Sequence, residues 1–175
     1  MTRLRDISGE TVGLTVTFGD QIMHIEQVES TSALRATFDI GRPLPLWSGA
    51  PSRLFLAERP DDEVGRVLKE RTPSDVTPVN PPDPETEFAE IRKARETGYA
   101  VAIEETTKGI STLSAPVRNA VGELVATLSV TVPSRRLTRR TVDALLPDLR
   151  ATAQSISAEL GLVSTTFSPR SPGAL

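Results

Sequence analysis

The chain has 175 residues, no cysteine, 38% apolar and 25% charged residues, and a net charge of −3. It is large enough for one real core. Its composition excludes a disulfide scaffold and any thiolate metal site, and a net negative charge argues against a domain that grips phosphate backbone by itself.

Thr2–Ile7 reads as the end of a helix, predicted to be a linker over residues 1–8. Thr11–Phe18 alternates Val12, Leu14, Val16 and Phe18 inward against Thr11, Thr15 and Thr17 outward, the period of a strand. Gly19 and Asp20 form a turn, and Gln21–Val28 returns as the second strand of a hairpin, with a mixed pattern that predicts partial burial on both faces. Leu34–Asp39 is predicted to be a third short strand. Pro43 and Pro45 forbid regular helix in the segment that follows, and a helix then begins at Trp47 or Ser48, with Ser48 as N-cap, and runs to about Glu58. Asp61–Arg71 is a second helix opened by acids at its positive end. Thr72–Pro84, with its run of prolines, is an extended connector, and a third helix from Asp83 or Pro84 to Thr97 buries Phe88, Ile91 and Ala94 or Arg95 and ends at Gly98.

The last third carries the strongest pattern. Tyr99–Ile103 is a strand, Glu104–Gly109 a polar loop, Ser111–Arg118 a strand, Asn119–Gly122 a turn and Glu123–Val132 a strand stopped by Pro133. Leu124, Ala126, Leu128, Val130 and Val132 share one face of that last strand; Val125, Thr127, Ser129 and Thr131 share the other. With Thr112 and Ser114 on the preceding strand, these hydroxyls fit either a solvated face or the lining of a small polar cavity. Thr138 caps a closing helix stapled by Leu137 and Val142, which Pro147 should kink or split and Gly161 ends. Residues 163–175 read as a disordered tail. The sum is an α+β fold, an antiparallel sheet of about six strands with flanking helices.

Two stretches, GYAVAIEETTKG and SAPVRNAVGELVATLSVTVPSRRLT, together with SGETVGLTVTFGDQIMHIEQVES, GRPLPLWSGAPSRLFLA and a closing ISAELGL, occur in collinear order over about Leu4 to Leu162. In this order they resemble the effector-binding domain of the IclR family (isocitrate-lyase-regulator type) of bacterial transcription factors. The resemblance implies a GAF-like fold over residues 9–162, a small organic acid as effector, assembly as a homodimer or homotetramer, and DNA contact only through a separate N-terminal winged helix-turn-helix. The chain opens near where such a sensor domain begins, so it is expected to be a fragment or a protein without its DNA-reading head. No cofactor is implied. With no long apolar run and no signal peptide in view, a cytoplasmic protein without membrane contact is expected.

The resemblance also implies where a ligand sits: between the sheet and the N-terminus of the helix after the proline-rich turn. There Gly49, Ala50 and Ser52 would offer amides to a carboxylate, since Pro51 has none. Against the usual family pattern, Trp47 replaces a His, Ser52 a Gly, Arg53 a Lys, Ala102 an Asp and Thr112 a Cys, while Ser129 and Thr131 keep the hydroxyl pair. The expected binding set is Trp47, Gly49, Ala50, Ser52, Ala102, Thr112, Leu113, Ser129 and Thr131. These departures predict a less acidic, more apolar pocket that takes an aromatic or larger acid, with Trp47 either a flat wall of the pocket or a core or interface residue.

The other chemistry-bearing residues point away from catalysis. His24 within a strand reads as hydrogen-bonded structure, Arg42 as a solvated turn residue, and Glu104 and Glu105 as a solvated strand end whose side chains point apart. Arg135, Arg136, Arg139 and Arg140 project to solvent or an acidic partner surface. No GxSxG, HExxH, P-loop or GxGxxG occurs, so no catalytic or metal-binding residue is assigned. Three functions compete: a ligand sensor and assembly module, an oligomerisation module without a working pocket, and, least supported, a small hydrolase.

Overall fold

The computed structural model describes residues 1–71 and 83–162; residues 72–82 of the predicted connector Thr72–Pro84 and the predicted tail from residue 163 lie outside them. Along the chain run α1 (Thr2–Ser8), β1 (Thr11–Phe18), β2 (Gln21–Val28), β3 (Pro43–Pro45), α2 (Gly49–Ala57), α3 (Asp61–Lys69), α4 (Pro84–Thr97), β4 (Ala100–Ile103), β5 (Ile110–Arg118), β6 (Leu124–Pro133) and α5 (Arg139–Glu159). The six strands form one sheet in the order β3-β2-β1-β6-β5-β4, and every neighbouring pair is antiparallel. The first and last strands meet at its centre, so the sheet closes only when both ends of the domain are in place.

The two faces of this sheet differ. One carries Val12, Leu113, Ala115, Val117, Leu128, Val130 and Val132, which pack against Leu4 of α1 and Leu137, Val142, Leu145, Leu149 and Ala153 of α5. That burial follows from the period of two in the strands and the helical spacing in α5, and each fully buried Leu or Val contributes about 1.5–3 kcal/mol. Thr138 caps α5 by accepting from the Thr141 amide, and the helix runs unbroken through Pro147, so it is not split as the proline suggested.

The second face is built of small and hydroxylated residues and is covered by α2 and α4, with α3 packed on α4. Ile22, Leu46, Trp47, Leu54, Phe55, Leu56, Val64, Leu68 and Ile91 form a second core there, with Ala100 and Ala102 from the sheet. Every residue of α2 is buried. Asp83 caps α4 through the Glu85 and Thr86 amides, and Gly98 ends it in the left-handed conformation at φ 69°.

Several expectations change. Thr11 and Thr15 are buried rather than outward, because the second layer covers their face, and Phe18 at the strand end is exposed instead. Leu124 packs against the second core rather than with Leu128, since the ladder slips at Val117/Arg118. Leu34–Asp39 is not a strand. The free edge of β2 is taken by Pro43–Pro45, where prolines are tolerated. The predicted segment instead crosses the second face, bonded by side chains: Thr11 Oγ1 donates to the Ala36 carbonyl, and the Gln27 amide binds both the N–H and the C=O of Phe38. Among the described residues no helix is long and apolar enough to cross a membrane.

Candidate functional site

Cross-strand partners share a face, so the register aligns the hydroxyls in rows. One row runs Thr11, Thr131, Thr112 and Ala102; the next runs Gly13, Ser129, Ser114 and Ala100. Ser114 and Ser129, both fully buried, bond each other at 2.8 Å, and Thr112 and Thr131 do so at 3.2 Å. Neither pair lies on a solvated face. Small side chains in these rows leave space between sheet and helices, and their paired hydroxyls make it polar.

That space is a cavity of about 210 Å³. Thr112 and Thr131 form its floor on the sheet, and Ser48–Pro51 at the start of α2, Thr106 and Thr107 of the β4–β5 connection and Ile110 at the start of β5 complete this part of its lining. His24, Ile22, Phe38 and Leu44 line it on the β2–β3 side, with the exposed Asp39 and Arg42 beside them. The first amides of a helix have no intrahelical acceptor, and those of Gly49 and Ala50 have no partner among the described residues. Gly49 adopts φ +73°, and a Cβ there would lie 2.9 Å from Thr106 Oγ1, so only glycine lets the loop approach the helix start. Ser48 stands at the N-cap position but does not cap; its hydroxyl bonds Thr106 Oγ1 at 3.1 Å.

An ionic cluster behind the helix fixes this wall. Arg53, 3% exposed, makes a two-pronged pair with Glu87 at 2.7 Å on each prong, reaches Glu105 at 2.7 Å and donates to the Val101 carbonyl. Burial works against its charge, but the two carboxylates more than offset that and hold the guanidinium above its ordinary pKa. Glu105 is pushed up from the usual carboxylate range by burial, with Glu87 adding to the push and Arg53 opposing it. It is thus no solvated strand end. Its neighbour Glu104, exposed, turns the chain through the left-handed region at φ 57°.

The remaining arginines also have specific places. Arg42 is about half exposed and paired with Asp39 at 2.9 Å. Arg136, expected to project to solvent or an acidic partner surface, pairs with the buried Glu10 at 2.8 Å and ties the turn before α5 to the start of β1.

Of the residues expected to bind a ligand, Gly49, Ala50, Thr112 and Thr131 come together at the cavity. Ala102 is buried close behind, its Cβ 3.9 Å from where a Gly49 Cβ would stand. Ser129 lies one row away, bonded to Ser114. Ser52 is buried and donates its hydroxyl to the Ser48 carbonyl. Trp47 belongs to the second core and is not among the cavity's lining, which favours its core reading over the flat wall. Leu113 is on the sheet's opposite face, in the core under α5.

Sequence reasoning did not single out Phe38, Thr106 and Thr107, which line the cavity; His24 was read as hydrogen-bonded structure, which its 2.8 Å bond to Thr15 Oγ1 bears out, and it lines the cavity as well. The signal for His24 was the mixed pattern of β2, which places it on the same face as Ile22. Phe38 was hidden in the segment misread as a strand.

A family model described as "Bacterial transcriptional regulator IclR C-terminal" matches residues 1–158. The HTH-type transcriptional repressor AllR of Escherichia coli K12 is 32% identical over 162 residues, covering 93% of this chain and 60% of the relative. The crystal structure of the C-terminal domain of the E. coli regulator KdgR superposes with a TM-score of 0.76 at 28% identity, covering 92% of this chain and 93% of that one. For the Thermotoga maritima IclR structure the TM-score is 0.78 at 28% identity, covering 91% of this chain and 65% of that one. The chain spans about 60% of the length of the curated AllR relatives it matches.

Proposed function

Because this chain belongs to the IclR family of bacterial transcriptional regulators, as its C-terminal effector-binding domain, we propose that residues 9–162 sense a small organic acid in the cavity at the start of α2. The domain then biases DNA binding by a winged helix-turn-helix joined through α1, within a homodimer or homotetramer in the cytoplasm. The family is one of regulators rather than enzymes, and the signal is an equilibrium shift that needs no bond chemistry.

One observation carries the reading: the unpaired Gly49 and Ala50 amides, at the positive end of a fully buried helix, open onto a cavity floored by the Thr112 and Thr131 hydroxyls. That is the donor set a carboxylate needs. A dry cavity of about 150 Å³ holds benzene, so this one fits an acid of roughly six to eight heavy atoms. The test is a thermal-shift screen of aliphatic and aromatic acids. A ligand at about 100 times its Kd adds about 2.7 kcal/mol, a rise of about 5–11 °C for a domain of this size. The rise should vanish in Thr131→Val. A flat response across the panel would overturn the sensor reading in favour of an assembly-only module.

A further inference from the structure

We infer that His24 is a specificity-determining residue of this cavity: its Nε2 reads a neutral hydrogen-bonding group, such as a carbonyl or hydroxyl, on the end of the acid farthest from α2. The inference rests on the acid-sensor reading above and adds a second recognition point to it. His24 is 7% exposed and lines the cavity from β2, whereas Gly49 packs near Ala102 of β4, with β1, β6 and β5 between those strands. Nδ1 lies 2.8 Å from Thr15 Oγ1, and no hydrogen bond to Nε2 occurs among the described residues. Nε2 is not among the side-chain atoms sealed from solvent without a partner; it keeps accessible surface, and the polar space this residue lines is the cavity.

The ring's setting is built in layers. Phe38 packs against it, centroids 4.3 Å apart. Phe38 in turn rests on the bare Cα of Gly13, where a Cβ would come within 2.3 Å of its ring. The Phe38 backbone is held by the Gln27 side chain. The imidazole therefore has one fixed orientation, the property a recognition group requires.

The same surroundings define what it reads. Burial lowers the imidazole pKa to about 4, against the opposing pull of Asp39, so His24 is neutral at pH 7. Ile22, Leu44 and Phe38 make the rest of that side apolar, and Arg42 beside them is already paired with Asp39. No free positive charge meets a second carboxylate there. The favoured ligand is a monocarboxylate with one neutral polar group, rather than a dicarboxylate or a purely aliphatic acid.

The experiment compares 4-oxopentanoate and 4-hydroxypentanoate with their apolar isostere 4-methylpentanoate and with glutarate, by calorimetry and thermal shift on this chain. At least one of the two polar-ended acids should bind about tenfold or more tighter than 4-methylpentanoate and glutarate. In His24→Phe that preference should fall below about twofold while 4-methylpentanoate keeps its affinity. A preference that survives in His24→Phe, or equal binding of all four acids to the wild type, overturns the role of His24 and leaves the acid pocket standing. No binding by these or any acid of the wider panel overturns the sensor reading and this inference with it. Should His24→Phe not fold, the wild type still decides. His24 is the chain's single histidine, so its imidazole ¹⁵N signals are unambiguous. The preferred polar-ended acid should shift Nε2 and leave Nδ1 nearly unmoved, and binding without an Nε2 response refutes the assignment.

Discussion

Arg53→Met tests whether the buried ionic cluster holds the helix and loop that frame the cavity. The substitution keeps the volume but leaves the Glu87 carboxylate, 3% exposed, without the two 2.7 Å bonds that compensate its burial. Breaking one side of a buried pair costs about 3–5 kcal/mol, which lowers Tm by about 6–20 °C in a domain of this size. Urea unfolding followed by the fluorescence of the single tryptophan, Trp47, reads the loss directly, since Trp47 lies in the core that α2 builds. The double variant Arg53→Met/Glu87→Leu removes both charges of the deeply buried pair, leaves Glu105, 21% exposed, to solvent, and should regain most of the loss, because a well-packed apolar pair replaces a buried ion pair at little cost. Arg53→Lys keeps the charge without the planar fork and should fall between. A loss under about 1 kcal/mol in Arg53→Met, or a double variant as unstable as the sum of the two single ones, refutes the cluster as the source of that stability.

Glu105→Gln should be tolerated within about 1 kcal/mol near neutral pH, since Glu87 still pairs Arg53. Because the folded-state pKa of Glu105 is raised, its contribution is full below the ordinary carboxylate pKa and fades as pH rises through the folded value; the variant should lack that slope in pH-resolved urea titrations. His24 has the opposite sign: its pKa is lowered from 6.5 to about 4, so its contribution is full above 6.5 and is lost as pH falls toward 4. Wild type should lose about 2 kcal/mol more than His24→Gln between pH 7.5 and 5, and equal losses would contradict a buried neutral imidazole. Gly49→Ala forces a side chain to φ +73° and into Thr106 Oγ1; it should cost about 1–3 kcal/mol and abolish the thermal shift given by acids. Ser129→Ala leaves the buried Ser114 hydroxyl without its 2.8 Å partner and should cost about 1–3 kcal/mol, whereas Ser114→Ala/Ser129→Ala should cost less than twice that in the same urea assay.

Strand and helix positions were legible wherever turn residues, prolines and caps bound a run of β-forming or helically spaced residues. β2, α4, the β5–β6 hairpin and the Thr138 cap lie where period, proline and glycine place them, and five collinear stretches carried the family. The site was legible in part, because the amides of Gly49 and Ala50 follow from a helix start, a local feature. Trp47, Leu113 and Ser52 were harder. Whether a residue beside a site faces it depends on which side of a sheet or helix meets the second layer, and that is not a local property.

Chain order, hydrophobic period and turn chemistry by themselves determined that this protein is an antiparallel sheet with one strongly apolar face under a long closing helix. Those preferences act over a few residues and leave a readable trace. Only the tertiary structure decided that the hydroxyl face is covered by a second layer and that Arg53 gathers carboxylates from α4 and the β4–β5 loop. It also brought His24, Phe38 and Gly13 into one stack. These contacts join segments many residues apart. They form because packing a second layer over the sheet leaves buried polar groups that must find partners wherever the fold brings one within reach.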